Sequence, residues 1–217
     1  MEKNKRNRKA GESARAEYER RMIAREKKIT ENFPRAGKYL LKIFSPMNST
    51  KAWDKGAIGE EAIGKLLEEI ANKHGYTVLH DLIIPNSKAN IDHILVTQFG
   101  VFVIDSKNYT GKVKIRDIGG FLSGFEEVLY VGNRNQTVLL EKMNKQVEIV
   151  KKVLGSDASV HAILAFYDAE FPLFFKPKKI NGVHINSQGI RKIIEEFPRT
   201  HKVDVLKTAK AISAHFN

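Results

Sequence analysis

The spacing of hydrophobic residues predicts where helices and strands lie in the first half of the body of this chain. Hydrophobic residues recur at three- and four-residue intervals from Ile58 to Ala71, which predicts a helix from Gly56 to about Lys73. An extended run, residues 76–84, follows this helix and ends at a proline. The first two elements of the body are therefore expected to be a helix and a strand.

Two short strands follow almost without a gap, at Ile91–Thr97 and Val101–Lys107. The segment Gln98-Phe99-Gly100 joins them, and its glycine is available for a positive φ in a hairpin turn. The second strand opens with the unbroken apolar residues 101–104. Because strands buried on both faces read as continuous apolar runs, we expect this half of the strand to be central in the sheet.

The remaining pattern predicts further elements in alternating order. They are a weak extended segment at 113–115, a hairpin within 121–131, a helix at 139–154, a strand at 160–166, and helices at 190–197 and 203–216. A helix, an antiparallel group of strands, a helix and a strand in this order predict a mixed α/β domain.

Residues 1–50 differ from the body at 51–217 and are predicted to form a separate arm. The first nine residues carry no apolar side chain after Met1 and are expected to be disordered. Residues 12–32 have a helical composition with a thin hydrophobic stripe, and a short amphipathic piece follows at 39–44. A docking arm or linker fits this pattern, and so does an arm that binds nucleic acid, or a membrane surface through residues 37–47.

Charge and composition narrow the function classes. The 217 residues have a net charge of +12, and residues 1–50 carry 14 Lys and Arg against 6 Asp and Glu, a net of +8. This surplus favours a polyanionic partner, either nucleic acid or an anionic membrane surface. The absence of cysteine excludes disulfides, a thiol nucleophile and thiolate zinc sites. No apolar run is long enough for a transmembrane segment, and we expect a cytoplasmic protein.

The two adjacent strands contain the candidate chemistry. Folding the hairpin between Gln98 and Phe99 brings Asp92 opposite Asp105, and directly opposed residues share a face. Two such carboxylates favour a hard divalent cation, Mg²⁺ or Mn²⁺, between them. Lys107 lies two residues after Asp105 and is expected on the same face, where an ammonium suits phosphodiester hydrolysis. The alternative is a pair of solvent-facing acids neutralised by a lysine.

Three motifs follow one another along the chain: Gly56-Ala57-Ile58-Gly59-Glu60 at a helix start, Ile91-Asp92-His93 in one strand, and Gly100-Val101-Phe102-Val103-Ile104-Asp105-Ser106-Lys107-Asn108 in the next. In this order they resemble the nuclease-related domain, NERD, of the PD-(D/E)XK nuclease superfamily. The resemblance covers about residues 55–165 and implies a restriction-endonuclease-like core: a helix, an antiparallel three-stranded meander, a helix and a strand. Aspartate at position 105 departs from the more usual glutamate of the family.

The resemblance also implies roles for single residues. Glu60, Asp92 and Asp105 would form the metal site, and Lys107 would be the catalytic lysine. Gln146 would be the glutamine of the second core helix, although the Asn-Pro that often precedes it is missing and Gln136 competes for the role.

Neighbouring residues are given structural roles. We expect His93 to face away from the acids and to support the site, because side chains alternate along a strand. Glu61 is expected in solvent, about 100° around the helix from Glu60. Gly56 and Gly59 are expected to allow a close approach of helix and sheet.

The favoured function is a Mg²⁺-dependent nuclease that acts on DNA first and RNA second. The first alternative is a nucleic-acid-binding module that keeps the fold without the chemistry, and the second is a membrane-surface or partner-docking protein. The superfamily resemblance leaves a homodimer open, because enzymes that cut both strands are often dimers.

Overall fold

The helices and strands follow from a computed structural model of the chain, which describes residues 8–34, 36–43, 45–120, 124–172, 178–185, 189–200 and 202–216. Within these residues the helices are α1 (Glu12–Asn32), α2 (Gly37–Ile43), α3 (Asn48–His74), α4 (Val138–Leu154), α5 (Ile190–Glu195) and α6 (Val205–Phe216). The strands are β1 (Thr77–Ile83), β2 (Asn90–Thr97), β3 (Gly100–Lys107), β4 (Gly111–Gly120), β5 (Gly124–Val131), β6 (Arg134–Asn135), β7 (Val160–Phe166), β8 (Ala169–Glu170), β9 (Lys178–Ile180) and β10 (Val183–Ile185).

The main sheet has the strand order β1-β2-β3-β7-β10-β9. Strands β1, β2 and β3 form an antiparallel meander, and β7 pairs with β3 in parallel after the crossover through α4. Strand β10 continues the sheet parallel to β7, and β9 pairs with β10 antiparallel. The predicted restriction-endonuclease-like α/β core is confirmed. The β9–β10 extension was not predicted, because strands of three residues are too short for a periodic signal.

Helices cover both faces of the main sheet. One face packs against α3 and α5 around residues such as Leu67, Phe102 and Ile193. The other face packs against α4 and α6 around residues such as Val103 and Ile212. Both Phe102 and Val103 have no exposed surface, so the predicted central position of β3 is confirmed. This burial fixes the strand that carries Asp105 and Lys107.

The turn between β2 and β3 differs from expectation at its glycine. Thr97 pairs with Gly100, which leaves Gln98 and Phe99 as the turn, and the Thr97 hydroxyl accepts hydrogen bonds from the Phe99 and Gly100 amides, both at 3.1 Å. Gly100 is the first residue of β3, and its φ is not positive. Its small size matters instead, because a Cβ there would lie 3.1 Å from the Ser159 carbonyl oxygen.

A second sheet has the order β6-β5-β4-β8. The prediction of a hairpin within residues 121–131 was wrong: β4 pairs with β5, so the hairpin spans residues 111–131. Residues 121–123 lie outside the described part. The weak extended signal at 113–115 belongs to a ten-residue strand whose outer part carries exposed polar residues, which hid its length.

The helical part of the predicted arm packs against the body. Helix α1 has the predicted bounds and contacts α3, which begins at Asn48 and not at Gly56. The Asn48-Ser49 pair reads as a breaker in sequence, but polar residues of this kind are also common in the first turn of a helix. Helix α3 therefore runs through the predicted boundary at residues 50 and 51. Residues 1–7 lie outside the described part, as does residue 44 within the predicted membrane-surface segment 37–47.

In the part of the chain that the structure describes, no helix is both long and apolar enough to cross a membrane.

Candidate active site

The β2–β3 hairpin brings the two candidate aspartates together. The pairs from Thr97 with Gly100 to His93 with Ile104 have the predicted register, and the same register continued places Asp92 opposite Asp105. The Asp92 carboxylate turns toward β3, where its Oδ2 accepts a hydrogen bond of 2.8 Å from the Ser106 amide. Asp92 is 7% exposed, so this carboxylate is held inside the protein at the end of the meander.

The Lys107 ammonium lies among three oxygen atoms. It forms a short ion pair with Asp105 Oδ2, donates a hydrogen bond of 3.0 Å to the Ser106 carbonyl oxygen, and lies 4.0 Å from Asp92 Oδ2. Burial alone would lower the pKa of Lys107, but the charges of Asp105 and Asp92 outweigh burial and raise it above its ordinary value. The lysine therefore stays protonated and neutralises the two acids.

Asp92 has a strongly perturbed acidity. Burial, together with the charge of Asp105, raises the pKa of Asp92 to about 7, against the opposing effects of Lys107 and the Ser106 amide. Acids with such shifts are common at functional sites, because function needs a group whose charge changes near neutral pH.

Glu60 lies on α3, close enough to the acid–lysine cluster for the charge of Asp92 to affect its acidity. Its Oε2 is buried and has no hydrogen-bond partner. Burial, with the charge of Asp92, raises the pKa of Glu60 to about 9, so its carboxyl group is uncharged at neutral pH. Among the described residues, no three His, Asp or Glu side chains are arranged to hold a metal ion. The structure thus clusters Asp92, Asp105 and Lys107 and places Glu60 beside that cluster.

The two candidate glutamines occupy different places. Gln146 lies on α4, where its Nε2 donates a hydrogen bond of 3.4 Å to the Asn90 carbonyl and its Oε1 is buried without a partner. Gln136 precedes α4 and lines a cavity together with Glu60 and Lys107. The sequence left open whether Gln136 or Gln146 is the glutamine of the family motif, and the position of Gln136 at this cavity favours Gln136. The catalytic role of either glutamine stays a prediction.

His93 faces away from the acids, as its place in an alternating strand predicts. It has no exposed surface; its Nε2 lies 3.0 Å from the Ser106 hydroxyl and its Nδ1 lies 2.8 Å from His80 Nδ1. A hydrogen bond between two ring nitrogens requires one to donate and one to accept, so the two rings carry their protons differently. Burial, followed by the nearby charges, lowers the pKa of His93 well below its ordinary value. Both the partner His80 and the hydroxyl of Ser106 were missed by sequence reasoning.

Asp81 is a second residue that sequence reasoning missed. It has no exposed surface and a φ of 50°, and it lies between the pairs His80–His93 and Leu82–Ile91 of the β1–β2 ladder. Its carboxylate accepts hydrogen bonds from Arg8 Nε at 2.9 Å, the Ser13 amide at 2.8 Å and Asn90 Nδ2 at 2.6 Å. Arg8 and Ser13 belong to the predicted arm, so Asp81 ties the arm to the strand beside Asp92. The sequence signal that could have pointed to Asp81 is a single aspartate among the hydrophobic residues of β1.

Arg15 provides a second tie between the arm and the body. Its guanidinium bonds Glu61 and Asp54 on α3, and the hydrogen bond from Arg15 lowers the pKa of Glu61. The Glu61 side chain is 39% exposed, so it is partly in solvent as expected, and its ion pair with Arg15 is an addition that the sequence did not show. The helical period placed Glu61 off the face of Glu60 correctly, but the sequence did not show that α1 covers that side of α3.

The two glycines before Glu60 behave differently. A Cβ at Gly59 would lie 2.9 Å from the Cβ of Asn108, so Gly59 permits the predicted close approach of helix and sheet. A Cβ at Gly56 would meet nothing within 4 Å, and the same prediction for Gly56 was wrong. Asn108 donates a hydrogen bond of 2.7 Å to the Lys55 carbonyl, while its Oδ1 is buried without a partner.

A cavity of about 850 Å³ opens beside the acid–lysine cluster. Its walls are α3 from Ala52 to Glu60, the segment Ser106–Thr110 at the end of β3, and the turn from Val131 to Arg134. Lys107 and Glu60 both line it, whereas Asp92 and Asp105 are not among the residues that line it.

A helix, an antiparallel meander carrying Asp-Ser-Lys, a crossover helix and a parallel strand together define a nuclease-related, restriction-endonuclease-like domain. The family model of the nuclease-related domain, NERD, matches residues 55–167, and the chain belongs to this family of the PD-(D/E)XK-like nuclease superfamily.

Beyond the family, the chain is similar to an uncharacterized protein of Bacillus anthracis. The two are 34% identical over 80 residues, which cover 33% of this chain and 37% of that protein. The chain thus spans little more than a third of the length of this relative. No solved structure matches the chain.

Proposed function

We propose that the protein is a metal-dependent nuclease that hydrolyses phosphodiester bonds of nucleic acid, with DNA as the preferred substrate. Membership of a nuclease-related family supports this proposal. The observation that carries it is the group of three oxygens from Asp92, Asp105 and Ser106 around one positive charge, that of Lys107.

The residues around this charge fit Mg²⁺ or Mn²⁺. Two carboxylates and a backbone carbonyl are hard oxygen donors, and the ammonium marks a position where the protein already favours a cation. Mg²⁺ usually binds through one or two carboxylates and keeps waters or substrate phosphates as further ligands, so a group of three acids is not required. Asp92, Asp105 and the Ser106 carbonyl would hold the ion, which would act as a Lewis acid on the phosphate.

Lys107 and Glu60 have separate parts in this proposal. Once its ion pair with Asp105 is released, the protonated Lys107 can donate a hydrogen bond to the attacking water or to a phosphate oxygen, where negative charge develops. Glu60 is uncharged at neutral pH and so does not repel an approaching phosphate. Glu60 lines the cavity, and its Oε2 is buried without a hydrogen-bond partner.

The test is cleavage of plasmid and single-stranded DNA in the presence of Mg²⁺, Mn²⁺ or EDTA. We expect cleavage of at least one of these substrates with either metal and none in EDTA, and a loss of at least about 100-fold in Asp105→Asn and Lys107→Met. The matched controls Asp157→Asn and Lys152→Met change exposed residues of the same types and should cleave like the wild type. Circular dichroism confirms that each variant is folded. Cleavage that is absent from the wild type, or that survives both site substitutions, would contradict the proposal.

One observation favours a second candidate, a nucleic-acid-binding module without catalysis. The described residues contain no preformed group of three metal-binding side chains, and Lys107 already neutralises the two acids. Such a module would bind DNA equally well in EDTA and in Mg²⁺ and would leave it uncut. The same cleavage assay, run beside a binding measurement, separates the two functions.

A further inference from the structure

The cavity beside Lys107 has the size of a pocket for a single small ligand. Its volume is about 850 Å³, within the range of pockets that enclose one small molecule. A cavity of this size has room for one nucleotide.

The charges around the cavity suit a phosphate. Lys107, Lys55 of α3 and the exposed Arg134 all line it. The Lys55 ammonium donates a hydrogen bond to the Thr110 hydroxyl and lies 3.5 Å from Asp168 Oδ2. Cations that line a cavity together are expected to hold the backbone of a strand that enters it.

An aromatic side chain stands at the same cavity. Trp53 lines it, is 40% exposed, and is the one tryptophan of the chain. The Arg21 guanidinium lies over this ring, 5.7 Å from its centroid, and is held there by a hydrogen bond of 2.6 Å to Glu17. A base stacked on an exposed tryptophan is typical of single-strand recognition, and an arginine at the ring adds a cation–π interaction.

We propose that the cavity takes one unpaired nucleotide with its base stacked on Trp53, so that single-stranded nucleic acid is the substrate class of this protein. This inference rests on the proposed nuclease function and specifies its substrate. It also assigns a role to the arm, because Arg21 belongs to α1 and completes the stacking position from outside the NERD match.

The test uses the fluorescence of the wild-type protein in EDTA, where the proposed nuclease is inactive. Because the chain has one tryptophan, excitation that selects tryptophan over the six tyrosines gives a signal from Trp53 alone. We expect quenching on titration with a single strand of about 20 nucleotides, of DNA or of RNA, and none with a blunt duplex of the same length. Quenching by neither strand, or equal quenching by the duplex, would overturn the inference.

A second experiment measures the affinity for a labelled single strand by fluorescence anisotropy. Trp53→Ala should weaken binding of the single strand roughly 10- to 100-fold, and Trp53→Phe should recover most of this loss because the phenyl ring still stacks. Ile58→Ala is the matched control, since Ile58 lies on the same helix, is also 40% exposed, and does not line the cavity. Equal affinities of the wild type and Trp53→Ala would overturn the stacking role.

Failure of this inference differs from failure of the proposed function. Cleavage of duplex plasmid that depends on Asp105, without quenching by single strands, would keep the nuclease and remove the single-strand substrate. Quenching and tight binding without cleavage in any metal would keep the nucleotide cavity and remove the nuclease.

Discussion

Replacing Glu60 by glutamine tests whether the carboxyl group beside the acid–lysine cluster is uncharged in the folded protein. Burial and the charge of Asp92 raise the pKa of Glu60 from 4.5 to about 9. A raised pKa in the folded state means that this group favours folding fully below pH 4.5, and that this contribution is lost as pH rises toward 9. Glutamine has almost the same shape and never ionises, so Glu60→Gln removes the pH dependence and little else.

The size of the effect follows from the pKa shift. Between the two pKa values Glu60 releases its proton only in the unfolded state. Each pH unit above 4.5 therefore favours the unfolded wild type by about 1.4 kcal/mol. At pH 7 the free energy of unfolding of Glu60→Gln should exceed that of the wild type by about 3 kcal/mol, and at pH 5 by less than about 1 kcal/mol. Urea unfolding in EDTA, followed by circular dichroism between pH 5 and 8, measures the difference.

Glu61 provides a control of opposite sign at the next position. The hydrogen bond from Arg15 lowers the pKa of Glu61, so its ionised form favours folding above its ordinary pKa and this contribution is lost as pH falls. Glu61→Gln should therefore be less stable than the wild type at pH 7, and the gap should narrow in acid. A stability gain of Glu60→Gln that stays constant or shrinks from pH 5 to pH 8 would refute the reasoning.

Three further predictions concern the support of the site. Lys107→Met removes the positive partner of the buried Asp92 and the partly buried Asp105 and should lower the free energy of unfolding in EDTA by about 3–5 kcal/mol, with Lys152→Met near zero in the same urea titration. His93→Ala leaves two buried hydrogen-bonding groups without a partner and should cost about 2–4 kcal/mol in urea, and thermal unfolding that matches the wild type would contradict this. Gly59→Ala should lower stability and weaken cleavage because its Cβ meets Asn108, whereas Gly56→Ala should raise the melting temperature through a gain of about 0.5–1 kcal/mol in helix propensity. A melting temperature that changes alike in both glycine variants would show that the contact at position 59 does not matter.

Much of the fold could be predicted from the sequence because it depends on local periodicity. The bounds of α1 and β7 agree with the pattern at every residue, and the register of the β2–β3 hairpin follows from its two-residue turn. The period of a strand fixes which side chains share a face, so the grouping of Asp105 with Lys107 also follows from the chain alone. Short strands such as β9 and β10 carry too few residues for such a signal.

The surroundings of the site were decided by tertiary packing. Nothing in the local sequence shows that Arg8 reaches Asp81, that Arg15 pairs with Glu61, or that Arg21 lies over Trp53. These contacts join residues from 32 to 73 positions apart, and they hold a basic segment that reads as an arm against β1 and α3.

The sequence by itself thus determined the core elements and the candidate residues of the hairpin, because periodicity and register are properties of a few neighbouring residues. Only the tertiary structure decided the acidity of Asp92 and Glu60 and the shape of the cavity beside them. Burial and the charges of distant residues set a pKa, and segments far apart in the chain enclose a cavity, so neither property can be read from local spacing.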